Sequence, residues 1–254
     1  MDEKNEYQLE IKDIHLSFGG IKALHGVSTG IKKGEIFSII GPNGAGKTTL
    51  VNLISGHLRP DSGKILLDDR DITTAPAHVR IALGIARNFQ ITQLFEELSV
   101  LDNVRNCLFS IEGRSGRFFK PAGAYRKMKE EAMNILETFN LAQFSSELAG
   151  ALSEGDKKIL DTAMAFALKA KFLLLDEPTS GVATSDKFKV MDTIVSAIQK
   201  QGTATLIIEH DMDIVAEYTD RVMVLAEGRI LADGASSEVM ENKEVKETLF
   251  GVSD

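Results

Sequence analysis

The sequence predicts an α/β fold: a parallel sheet covered on both faces by helices, with an N-terminal antiparallel β region and a mostly helical lobe. Three observations lead there. The apolar run Ile36–Ile40 ends in a glycine-rich loop that opens a helix. Further apolar runs at Phe172–Leu175, Thr205–Ile208 and Arg221–Leu225 alternate with helical segments, the pattern of strands buried on both faces. Between the first run and these, from about Val100 to Leu141, helical periodicity takes over.

The elements follow in order. Leu9–Ile14 alternates partially with period two and reads as an edge strand. Gly19-Gly20 and Lys33-Gly34 mark turns around a second strand, Ala23–Ile31. Ile36–Ile40 is a buried strand, and Lys47–Ser55 a helix with Gly56 near its end. Lys64–Leu67 and Asp69–Ile72 read as short strands closing the β region. A loop at Glu112–Gly123 interrupts the helical stretch, and Gly228–Leu231 forms a closing hairpin before short helices that run to Phe250. The expected organisation is a single domain over 1–254, with its core at about 1–90 and 158–254 and the helical lobe at about 91–157.

Composition sets limits. The chain has 254 residues, 43% hydrophobic and 26% charged, enough apolar content for a sizeable core. A formal net charge of -8 argues against a general nucleic-acid binder, which carries a basic face. Cys107 is the single cysteine, so no intrachain disulfide is possible and a reducing compartment is expected. The charged N-terminus, Met1–Tyr7, has no apolar core of a secretory signal. No apolar run approaches the roughly 20 residues that span a bilayer, so any transport role needs separate membrane-spanning partners.

The loop Gly41-Pro42-Asn43-Gly44-Ala45-Gly46-Lys47-Thr48 satisfies a phosphate-binding pattern and lies between strand and helix. Its glycines let backbone N–H groups approach phosphate oxygens, and the helix adds its positive dipole end. Lys47 is expected to reach the β- and γ-phosphates and Thr48 to ligate Mg²⁺; Thr49 adds a further phosphate contact. Asn43, Gly44, Ala45 and Gly46 supply the rest of the cradle. The motif points to nucleotide binding without separating kinases, GTPases and transport ATPases. Phe172–Leu175 runs into Asp176-Glu177, an apolar strand ending in two carboxylates. Asp176 suits the Mg²⁺ shell and Glu177 an attacking water, because a cation keeps two adjacent carboxylates charged. Taken alone, the pair could also be an acidic surface turn.

These two segments resemble the Walker A and Walker B elements of the ABC ATPases. Leu152-Ser153-Glu154-Gly155-Asp156 lies where that family has its LSGGQ-type signature, which closes over the γ-phosphate held by the opposite subunit. Ser153 and Gly155 match; Glu154 and Asp156 depart from it, with Lys157 and Lys158 near enough in sequence to offset their charge. The same residues also read as a helix N-cap, and the two readings are compatible. Gln90 stands at the Q-loop position, implying contact with the Mg²⁺ and water shell. His210 resembles the H-loop histidine at the γ-phosphate, and Phe18 the aromatic that stacks on adenine, though Phe18 could equally be a core residue. His15, His25, His57 and His78 match nothing and lack ligand spacing. Ser180-Gly181-Val182-Ala183 occupies the D-loop, with Ala183 where aspartate is common.

Beyond the shared motifs, Asn52–Gly56, Arg59–Gly63, Gly84–Gln90 and Leu94–Val104 resemble the branched-chain amino acid importer ATPases. Urea and amide importer ATPases are close alternatives, as is a non-transport ABC ATPase of the iron–sulfur assembly type. The resemblance implies ATP and Mg²⁺, with Glu177, His210 and Gln90 catalytic and Thr48, Gln90 and Asp176 around the metal. It also implies a second ATPase subunit, transmembrane permeases, a separate solute-binding protein, no nucleic acid, and a peripheral place on the cytoplasmic face of the membrane. Ile91–Leu98 is the expected docking segment for a permease. The basic and aromatic stretch Arg114–Lys129 reads as a solvated loop that could also touch lipid headgroups.

Overall fold

A computed structural model describes residues 6–88, 94–113 and 122–250. Two sheets organise it. The first is antiparallel, formed by β1 (Tyr7–Phe18), β2 (Ile21–Lys32), β4 (Ser62–Leu67) and β5 (Arg70–Asp71) in the order β2-β1-β4-β5. β1 therefore lies inside the sheet, not at its edge as its sequence suggested. Its alternation is only partial because the register shifts between Ile11 and Ile14, where Asp13 adopts φ 49°. That irregularity resets which side chains face the core, so Leu9, Ile11, Ile14 and Leu16 are all buried.

The second sheet has the order β10-β9-β3-β8-β7-β6, with β3 (Ile36–Ile40), β6 (Ile85–Arg87), β7 (Phe172–Asp176), β8 (Ala204–Ile208) and β9 (Arg221–Ala226) parallel. β10 (Arg229–Ala235) pairs antiparallel with β9 and closes one edge. The continuous apolar runs are explained by burial on both faces. Phe172 and Leu174 of β7 pack into the cluster between the sheets, while Leu173 and Leu175 pack into the cluster on the other face.

Helix α1 (Lys47–Ser55) lies in the layer between the sheets and contributes Leu50, Leu53 and Ile54, none of them exposed, to the same cluster as Ile14 of β1 and Ile39 of β3. Burying each such side chain contributes about 1.5–3 kcal/mol, so α1 is anchored by its apolar face. Its C-terminus is closed by Gly56 at φ 82° and by Arg80 of α2 (Ala77–Leu83). The fully buried Arg80 donates to the carbonyls of Leu53 and of Ile54 (2.8 Å), and of Thr73 (2.9 Å) and Ala75 (2.8 Å). Burial pushes its pKa down to about 10, with Asp71 opposing the shift, so it remains a cation at the negative end of α1 at neutral pH.

On the opposite face of the parallel sheet, α3 (Val100–Gly113), α4 (Ala122–Thr138), α5 (Glu154–Ala167) and α6 (Thr184–Gln201) share one core cluster. α3 and α4 extend into both ends of the stretch expected as a loop, whose residues 114–121 lie outside the described residues. α7 (Met212–Tyr218), α8 (Ser236–Glu241) and α9 (Lys243–Phe250) complete the chain. The topology has one consequence for chemistry. β3, β7 and β8 run the same way and end side by side, with Asp176 opposite Ile208 and Ile39 opposite Ile208. Whatever follows each strand is delivered to one edge of the sheet.

Candidate phosphate-binding active site

That edge holds a cavity of about 240 Å³ lined by residues 43–49, Asp176, Glu177 and His210, with Ala23 and Ile208. Of the site residues expected from sequence, Asn43, Gly44, Ala45, Gly46, Lys47, Thr48, Thr49, Asp176, Glu177 and His210 are brought together here. The loop after β3 needs its glycines. Gly41 has φ 151° and a Cβ there would sit 2.1 Å from the Leu225 carbonyl; Gly46 has φ 104° and its Cβ would come within 2.8 Å of the Ala23 carbonyl. Gly46 is the N-cap of α1 and supplies no side-chain hydrogen bond, and the first turn carries no acid. The N–H groups and positive end of α1 are thus left for an external anion.

Lys47 is buried, its Nζ donating to the carbonyls of Gly41 (2.6 Å) and Pro42 (3.0 Å). Burial lowers its pKa, while Glu177 and then Asp176 raise it, so the acidic pair favours the charged form against desolvation. Glu177 leaves β7 with φ 50°, unusual for a non-glycine residue, and its N–H donates to the Ile208 carbonyl (2.9 Å). The turn aims its carboxylate at His210, whose Nε2 lies 3.1 Å from Oε1. Asp176 and Glu177 are therefore no surface turn; both face the cavity.

Sequence reasoning missed the residues that hold this edge. Glu209 is buried, and its Oε1 accepts from the Thr179 N–H (2.9 Å) and hydroxyl (2.7 Å) while Oε2 accepts from the His210 N–H (3.1 Å). One carboxylate thereby spans the two loops that carry Glu177 and His210. Lys187 of α6 pairs with Asp211 at 2.8 Å and holds its carboxyl below the usual range. The Asn88 side chain accepts from the Asp176 N–H at 2.7 Å. The only sequence signal for Glu209 was a carboxylate directly after an apolar strand.

The family described as "ABC transporter" matches residues 24–180. A probable branched-chain amino acid transport ATP-binding protein, LivG, of Archaeoglobus fulgidus is 38% identical over 97% of this chain and 96% of its own length. The high-affinity branched-chain amino acid transport ATP-binding protein BraF of Pseudomonas aeruginosa is 32% identical, covering 96% and 97%. The chain belongs to the ABC transporter family. It is the ATP-binding subunit type, an ATPase coupled to transport. The fold agrees: a solved ATP-binding cassette of an ABC transporter superposes with TM-score 0.84 at 33% identity, covering 96% of this chain and 99% of that one. The ADP conformation of such a cassette gives TM-score 0.83 at 32% identity, covering 97% and 99%.

The other ABC motifs among the described residues do not line the cavity. Ser153 is the N-cap of α5: its Oγ accepts from the Asp156 N–H at 3.1 Å and donates to Asp156 Oδ2 at 2.6 Å. Lys157 pairs with Glu154 at 3.0 Å and so offsets one of the two departing carboxylates as its spacing suggested, while Lys158 is buried. A Cβ on Gly155 would meet Val190 at 3.1 Å, which fixes the close approach of α5 to α6. Ala183 is the N-cap of α6 with no side-chain bond. Phe18 ends β1 at 48% exposure; it is not a core residue and does not line the cavity. Gln90 lies outside the described residues.

Proposed function

We propose that this chain is the ATP-hydrolysing subunit of an importer for branched-chain amino acids or a related small polar solute. The observation that carries the reading is the cavity itself, where an uncapped helix N-terminus, a buried lysine and two carboxylates face one another within reach of a triphosphate. The backbone N–H groups of residues 43–49 and the Lys47 ammonium bind the phosphates. Thr48 and Asp176 offer a hydroxyl and a carboxylate on the cavity wall, oxygen donors that suit Mg²⁺. Among the described residues no group of three or more His, Cys, Asp or Glu side chains is arranged to hold a metal ion by itself. Bound there, Mg²⁺ supplies positive charge to the β- and γ-phosphate oxygens.

Glu177 orients the attacking water and takes its proton, and His210 donates from its ring to the γ-phosphate. Gln90 adds a contact to the water shell, and Phe18, exposed beyond the cavity, stacks on the adenine. The working unit is a dimer in which Ser153 and the Gly155 amide of a second ATPase subunit cover the γ-phosphate. ATP favours closure because it touches both halves, and hydrolysis removes those contacts.

Among the described residues no helix is long and apolar enough to cross a membrane. The importer reading places the subunit peripherally on the cytoplasmic face, with permeases and a solute-binding protein as separate chains. Phe95 (56% exposed) and Leu98 (37%) in the segment expected to dock a permease lie beside exposed Leu148 (54%), because Leu98 accepts from the Ala149 N–H. This patch is the permease contact. Affinity purification from membranes of the source organism tests the reading. It predicts two permease subunits and ATP-dependent uptake of leucine or valine in reconstituted vesicles. Recovery of soluble iron–sulfur assembly proteins instead would overturn it, and uptake of urea or an amide alone would move the solute.

A further inference from the structure

Arg87 was notable in sequence only as part of a family-like segment, and nothing in the mechanism above uses it. In the structure it is largely buried, its side chain 14% exposed, at the end of β6. Nη2 donates to Asp176 Oδ2 at 2.7 Å, and the aspartate side chain is itself only 7% exposed. Nη1 donates to Asn52 Oδ1 at 2.8 Å and lies 3.5 Å from Ser55 Oγ, both on α1, the helix that begins at the phosphate loop. Asn52 is fixed in turn, since its carbonyl accepts from the His57 and Leu58 N–H groups at 2.9 and 3.0 Å. The next residue, Asn88, accepts from the Asp176 N–H and donates its own N–H to the Leu174 carbonyl. The end of β6 thus grips Asp176 by both backbone and side chain.

We infer that Arg87 is a positioning residue for the cation site: its planar fork, braced on Asn52, fixes Asp176 so that one carboxylate oxygen is tied back and the other is offered to the cavity. A carboxylate on a single bond can rotate, and an unbraced one beside Lys47 would turn toward that ammonium. A guanidinium held at its second nitrogen removes the freedom, which a lysine with one point donor could not do. The brace joins β6, β7 and α1, so the same contact couples the phosphate loop helix to the strand leading into residues 89–93. This inference rests on the proposed role of Asp176 toward Mg²⁺.

The test is ATP affinity, measured by calorimetry on the full chain across a MgCl₂ series and again in EDTA. In Arg87→Met the Mg²⁺ concentration giving half-maximal tightening rises by about tenfold or more, the usual cost of losing a group that orients a metal ligand. Affinity in EDTA changes by less than about threefold, because Arg87 itself does not line the cavity and without Mg²⁺ its hold on Asp176 has no metal to act through. Arg87→Lys recovers only part of the shift, and Asn52→Ala, which leaves the ion pair but removes its brace, moves it the same way by a smaller factor. These two milder variants carry the test if Arg87→Met fails to fold. Equal losses with and without Mg²⁺ would show a merely structural role, and an unchanged or lower Mg²⁺ requirement in all three would likewise overturn the inference. Asp176→Asn is run beside them: if it leaves the Mg²⁺ dependence intact, the metal role of Asp176 fails, and the inference falls with it.

Discussion

Two helices in this chain begin at motifs of the same family, and they treat the same physics in opposite ways. α1 starts after a glycine with no side-chain cap and no acid in its first turn. α5 starts after Ser153, which caps the Asp156 N–H, and carries Glu154 and Asp156 in its first turn. Both termini present unpaired N–H groups and a partial positive charge. The first leaves them open, with Lys47 buried beside them; the second commits one of them, that of Asp156, to the Ser153 hydroxyl, which in turn donates to the Asp156 carboxylate. An anion finds a prepared site at α1, and at α5 one where the Ser153 hydroxyl is already engaged with Asp156. The difference lies in which side chain stands at the third helical position, Thr49 in one helix and Asp156 in the other.

The largest expected effect comes from emptying the prepared site. Lys47→Ala removes a charged donor to phosphate worth about 1.5–3 kcal/mol, so equilibrium binding of ATP weakens roughly 10- to 100-fold. Unchanged affinity would show that the backbone cradle alone holds the nucleotide. Converting one terminus into the other comes next. Thr49→Asp makes α1 resemble α5, and the repulsion of a carboxylate by phosphate weakens ATP binding by at least about tenfold. Because an acid in a first turn stabilises the helix, the melting temperature does not fall, which separates this loss from misfolding.

Smaller effects are expected at α5. Ser153→Ala deletes the cap and costs about 1 kcal/mol, a fall of about 2–4 °C in Tm for a chain of this size. Calorimetric unfolding of the nucleotide-free protein reads it, and no change would mean that the cap is not formed in solution. Asp156→Gln removes a favourable charge from the first turn and costs only about 0.3–1 kcal/mol. It also frees the Ser153 hydroxyl from its 2.6 Å bond to the carboxylate. ATPase activity per subunit then rises, and unchanged or lower activity would show that the carboxylate does not restrain Ser153.

Sequence made the prepared site legible because its chemistry is local. Gly41–Thr49 is one continuous segment between a strand and a helix, and Asp176-Glu177 ends an apolar run. β3, β7 and β8 are buried on both faces, so their apolar runs read without ambiguity. What holds the site is not local. Arg87 meets Asp176 across 89 positions of sequence, and Glu209 meets Thr179 across 30. No periodicity encodes such pairs. The place of β1 inside its sheet was hidden for the same reason, since both neighbours are set by pairing and its own alternation breaks at Asp13. The N-cap at Ser153 was visible, but which carboxylate Lys157 meets depends on rotation around the helix, where residues three apart share a face.

Hydrolysis at this site centres on Glu177, the carboxylate that β7 turns into the cavity beside His210. Steady-state ATP turnover of Glu177→Gln, measured together with its ATP affinity, isolates that role. Loss of a positioned base lowers turnover by about 10²- to 10⁴-fold while affinity stays within a few fold of the parent. Turnover at the parent rate would contradict it.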